Sequence, residues 1–183
     1  MKKIIFSLIL VVFTIFSQAQ VQTYARFKPS STDGVLHIYG EQELSSNLSL
    51  NCYLQAEQSW AEVLVGTVYK VNENLSLSLM AGVDQSPNIL RLSGLVFASK
   101  NDWDLFLDWE QGGGDKNYWY KASLIKKLRH FSIGFMSWRF NLSGLYLEKK
   151  IIKEISIWTN IGRDFEFGEN RAIVGLNFYL KND

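Results

Sequence analysis

The 183-residue sequence has almost none of the residues that staple or interrupt a fold. A single cysteine, Cys52, excludes an internal disulfide, so an exported chain of this kind is held by its core or by a closed backbone ladder. Only two prolines occur, which suits long strands, because each proline removes a ladder donor. After residue 20 there is no run of 18 consecutive apolar residues, which excludes a transmembrane helix in that part of the chain. Basic residues are in no excess. The 19 Lys and Arg against 18 Asp and Glu argue against a nucleic-acid-binding protein. No Ser/Pro-rich or low-complexity linker divides the chain. Metal-ligand spacing is absent, and no cofactor motif is expected. His130 lies in a short turn, and His37 has no serine assigned beside it with an acid behind, so a Ser-His-Asp constellation has no support.

The chain does have a leader-like start, "MKKIIFSLILVVFTIFSQAQ". Lys2 and Lys3 precede an apolar run from Ile4 to Phe16, and small residues at Ser17 and Ala19 stand where a signal peptidase reads. Residues 1–19 are therefore expected to be a cleaved signal peptide, and 20–183 a single domain.

The rest alternates in period two. Strands are expected at 21–28, 35–43, 48–57, 60–71, 75–84, 88–99, 102–110, 116–127, 131–140, 143–152, 154–164 and 170–180, each bounded by turn chemistry such as "NEN", "DQSPN" and "EQGGGDKN". Short turns alternate with longer ones along most of the chain. The Gly-rich "GGGD" at 112–115 joins two strands with no helix start after it, so it reads as a flexible loop rather than a phosphate cradle. One alternate set carries no charge: Leu75, Leu77, Leu79, Ala81, Val83 in one strand, and Ile155, Ile157, Thr159, Ile161 in another. The opposite set is mixed, and the two lie on opposite faces of a sheet. The uncharged set often ends in aromatics (Trp103, Trp109, Tyr118, Phe131, Phe178), as interfacial girdles do. The other face is too bulky and too poor in Lys and Glu for a soluble surface. Together these point to a closed, antiparallel, up-and-down transmembrane β-barrel of about 12 strands, with ten as the alternative.

The final strand, "AIVGLNFYL" at 172–180, is then the closing strand, with Ala172, Val174, Leu176, Phe178 and Leu180 toward lipid and Asn177 and Tyr179 toward the lumen. In its leader, alternating strands and aromatic-rich last strand, the whole mature chain resembles the small outer-membrane β-barrel proteins of Gram-negative bacteria. The "KND" that follows departs from their usual terminal aromatic. The resemblance implies an outer-membrane location, with lipid as the surrounding partner. It is one of architecture and carries no family's functional residues.

Candidate site residues follow from the inward faces. A two-residue turn at Lys100-Asn101 would set Arg91 opposite Glu110 and Ser93 opposite Asp108, with Lys121 near Asp104 and Asp108. Arg91, Asp104, Asp108, Glu110 and Lys121 would line one charged wall, a candidate for substrate binding or ion selectivity. Arg26, Lys28, Glu41 and Glu62 form a second lumen set on the first four strands. Trp60, Trp119, Trp138 and Trp158 point inward with several tyrosines, enough bulk to constrict the bore. Two function classes fit: a narrow barrel that binds or passes a small solute or amphiphile, and a packed interaction barrel that docks a protein partner through its loops or turns. An outer-membrane enzyme is a distant third.

Overall fold

The computed structural model describes residues 18–114 and 116–181, and within these every regular element is a strand. There are twelve: β1 (Gln18–Phe27), β2 (Thr32–Glu43), β3 (Leu48–Ala56), β4 (Ala61–Asn72), β5 (Leu75–Asp84), β6 (Leu90–Lys100), β7 (Trp103–Gly112), β8 (Tyr118–Lys127), β9 (Ser132–Trp138), β10 (Leu142–Ile152), β11 (Ile155–Asp164) and β12 (Glu169–Lys181). Each pairs antiparallel with its sequence neighbours, and β12 returns to β1, so the sheet closes with no free edge. Closure satisfies every ladder group internally, which a barrel in hydrocarbon requires. Ten strands is thereby set aside. Of the segment read as a leader, only Gln18 and Ala19 fall among the described residues, at the start of β1. There they face Lys181 and Leu180.

Alternation decides the two faces. Leu79, Leu92, Val65, Phe135, Ile161 and Val174 point outward and are exposed, while Asn51, Ser156, Asn160 and Asn177 point inward and are buried. An exterior of Leu, Val, Ile and Phe around a polar interior inverts the pattern of a soluble barrel. Trp103, Trp109 and Phe131 are exposed on the outer face, Trp109 stacking on Tyr118 at 4.9 Å between ring centroids. The two prolines, Pro29 and Pro87, sit in the β1–β2 and β5–β6 connections, where no ladder donor is lost.

Two expectations are corrected. The contrast in connection length is muted. Connections at the end bearing both chain termini (the terminal end) run two to four residues, and those at the opposite, loop end three to five. The ladders run on through residues read as loop: Gln111 and Gly112 belong to β7, and Glu169 to β12. The β6–β7 turn is also displaced by one residue. Its two residues are Asn101 and Asp102, with φ of 48° and 66°, and Lys100 pairs with Trp103. A tight hairpin of this kind needs positive φ at both central positions, which Asn and Asp adopt more readily than Lys. The register therefore slips by two: Arg91 faces Gly112, Ser93 faces Glu110, and Leu95 faces Asp108. A slip of two leaves every side chain on its expected face.

Candidate functional site in the lumen

The slip does not separate the charges. Diagonal neighbours on one face of a sheet stay within reach of long side chains. Arg91 Nη1 still donates to Glu110 at 3.1 Å, and Ser93 Oγ to Asp108 at 3.0 Å. Arg91 collects more than was expected. Its guanidinium also meets Asp84 at 2.7 Å and Glu62 at 3.2 Å, donates to Asn117 at 3.2 Å, and lies 5.6 Å from the centre of the Trp60 ring. Arg91, Glu62, Asp84 and Glu110 are all buried. One guanidinium is thus shared by three carboxylates, and the group carries an excess of acid. Glu62, expected in the second set, belongs here.

The remaining second set divides. Arg26 binds Glu57 at 2.5 Å and donates to Asn141 at 3.0 Å, a contact that reaches from β1 past β12 and β11 to the β9–β10 connection. Asp33 lies 3.6 Å from Arg26 and is ion-paired to Lys28. Glu41 lies elsewhere, toward the terminal end, where Tyr39 donates to it. At the loop end a further ring was missed: Arg139 pairs with Glu166 at 2.9 Å and covers the Tyr118 ring, and Arg171 pairs with Asp164 and Glu169. Period-two alternation already places Asp84, Asp164 and Arg171 on the inward face. They continue the inward series Ser76, Ser78, Met80, Gly82 and Ser156, Trp158, Asn160, and the series through Ile173.

The centre of the bore is aromatic. Tyr24 on β1 packs edge-on against His37 of β2, Trp138 of β9 and Trp158 of β11, with centroids 5.2, 5.3 and 5.5 Å apart. His37 itself meets Trp138 at 5.8 Å, although β2 and β9 stand on opposite walls. Trp119 adds to the layer at 5.9 Å from Trp138, and Tyr146 stacks on Trp158. Trp138 and Trp158 are 2% and 1% exposed. His37 is engaged within the layer by the Tyr24 hydroxyl, 3.2 Å from Nε2. Trp60 and Trp119 point inward above, toward the loop end.

Two cavities lie in the lumen. The loop-end cavity, about 270 Å³, is lined by Arg26, Glu57, Trp60, Glu62, Arg91 and Glu110, among others. The terminal-end cavity, about 420 Å³, holds Asp108 and Lys121. The expected single wall is therefore split between them. Arg91 and Glu110 belong to the loop-end cavity, and Asp108 and Lys121 to the terminal-end one. Asp104, at the mouth of the second cavity, takes Ser99 at 2.7 Å and Lys127 at 2.8 Å as partners instead of Lys121. Lys121 and Asp108 face each other in register, while the ammonium lies 4.3 Å over the Trp138 ring. Among the described residues no group of three or more His, Cys, Asp or Glu is arranged to hold a metal ion.

No family model matches the sequence, and no curated protein does. Solved structures do. A KdgM porin in complex with disordered oligogalacturonate aligns with a TM-score of 0.64 at 16% identity, covering 87% of this chain and 98% of that one. Omp33 of Acinetobacter baumannii aligns at 0.59 and 8% identity, over 90% of this chain and 98% of that one. Outer membrane phospholipase A from Escherichia coli aligns at 0.57 and 12%, over 88% and 90%. At such identities the likeness is one of fold: this chain has the closed barrel architecture of outer-membrane proteins, porins among them.

Proposed function

We propose that this chain is an outer-membrane barrel, exported by its N-terminal leader, whose bore is constricted at the aromatic layer and which binds or passes a small solute. The observation that carries the reading is the contact of His37 and Tyr24 with Trp138 across the lumen, with a cavity on either side. The apolar exterior supports lipid as its surroundings. With the short terminal-end connections in the periplasm, the loop-end cavity is the outer vestibule. Its charge sets a preference. Its lining sets Glu57, Glu62 and Glu110 against Arg26 and Arg91, an acid excess that favours a cation over an anion, so a polyanion such as the oligogalacturonate of the KdgM complex suits this vestibule poorly. No enzymatic role is proposed, since His37 is committed to the aromatic layer.

A second reading, an interaction barrel closed by the same layer, draws support from Phe165 and Phe167, which stand 74% and 61% exposed in the β11–β12 connection at the loop end. Planar-bilayer recording under a salt gradient tests the first reading. Small, cation-preferring currents are expected. Large anion-selective steps would overturn it.

A further inference from the structure

The terminal-end cavity has two unlike halves. Its apolar lining comes from one arc of the barrel, β4 to β9: Met80, Leu95, Phe97, Phe106, Ile125 and Met136 are its main members. The other arc, β10 to β12 and on through β1 to β3, contributes no aliphatic side chain. Besides His37 and Tyr146 at the aromatic layer and Glu41, which accepts from Tyr39 near the mouth, it presents Gln20, Gln22, Tyr39, Tyr53, Asn177 and Tyr179. Phe97 and Phe106 are direct cross-strand partners, so they form one continuous apolar surface. Such a surface is unexpected in a lumen meant only for water and ions, because each exposed apolar group there costs hydration free energy. Leu95, Phe97 and Phe106 are only partly buried and border the open volume, while Met80 and Met136 are buried where the arc meets the core.

The charges on the apolar arc are already answered. Asp104 is held by Ser99 and Lys127, and Asp108 by Ser93. Lys121 makes no hydrogen bond or ion pair among the described residues, but it faces Asp108 in register and rests on the Trp138 ring. The inner end of the cavity therefore offers no net charge. Its volume, about 420 Å³, falls in the range of about 300–1,000 Å³ usual for small-molecule sites.

We infer that this cavity is a binding site for an uncharged amphiphile, entering from the terminal end. Its apolar body lies on the β4–β9 arc, and its hydroxyl or amide groups turn to the tyrosines and amides opposite. The aromatic layer forms the floor of the site. This rests on the constricted-barrel reading, which makes the cavity a closed-ended site instead of a stretch of open pore.

The sequence supplies its own reporters. Beyond Met1 the chain has two methionines, Met80 and Met136, and both line this cavity. Barrels in lipid nanodiscs, carrying ¹³C-methyl methionine, are titrated with hexyl glucoside as an uncharged amphiphile, and in parallel with glucose and hexanoate. The proposal expects both methyl resonances to shift saturably with hexyl glucoside, glucose to leave them in place, and hexanoate to act at least tenfold more weakly. A Leu79→Met reporter, on the outward face, should not saturate with them. Phe106→Asn should weaken the response about tenfold. If that variant fails to fold, the three-ligand comparison on the unsubstituted barrel still decides. Unmoved methyls, equal response to glucose, a stronger response to hexanoate, or shifts matched by the outward reporter would each overturn the proposal. These outcomes leave the parent reading intact if the barrel is non-conducting or only weakly conducting. Large ohmic channels would instead remove the parent reading, whatever the methyls do.

Discussion

Trp158 lies so close against Gly175, its cross-strand partner, that a β-carbon built on the glycine would come within 2.5 Å of the indole. The glycine is what lets the ring turn into the bore and meet Tyr24. Gly175→Ala should therefore overpack the layer and destabilise the barrel by about 1–3 kcal/mol. Urea unfolding in detergent would measure it. Trp158→Leu in the same chain should recover much of the loss, and an equal loss with and without Trp158 would contradict the account.

The faces predict an asymmetry of charge tolerance. Leu77→Arg and Ile157→Arg put a cation on the outward surface and should each cost about 2–4 kcal/mol if near the midplane. Ser76→Arg, on the inward face at the terminal-end cavity, should cost much less. Folding yield into lipid vesicles compares the three. The reverse order would mean the faces are inverted.

Arg91 holds three buried acids, so its loss should be severe. Arg91→Ala is expected to cost about 3–5 kcal/mol, because the uncompensated carboxylates remain buried. Pairing it with Glu62→Gln should cost less than the sum of the two, with a coupling of about 0.5–3 kcal/mol in a double-mutant cycle. Strict additivity would show that the 3.2 Å contact between them carries no energy.

Much of this barrel is legible in its sequence, for a specific physical reason. A strand exposed to lipid on one face and to a polar lumen on the other must alternate strictly, so the inward and outward places of Leu77, Ser78, Trp158 and Asn177 follow from counting. Turn position is less secure. Moving the β6–β7 turn from Lys100-Asn101 to Asn101-Asp102 leaves the alternation unchanged and alters only which residues are opposite, so periodicity cannot detect it. The positive φ at Asp102 is the missing information. Asp84 could have been read by extending its strand's inward series by one step. The contact of His37 with Trp138 could not, because alternation says that both point inward but not how far each reaches across the bore.

The central claim is that the aromatic layer closes the lumen, and single-channel recording of Trp138→Ala beside the unsubstituted barrel tests it most directly. Trp138 touches Tyr24, His37 and Trp119 at once, so removing its ring opens a path between the two cavities. The account predicts little or no steady current from the unsubstituted barrel and a conductance several-fold higher from Trp138→Ala. A large ohmic conductance already present in the unsubstituted barrel, and unchanged by the substitution, would contradict it.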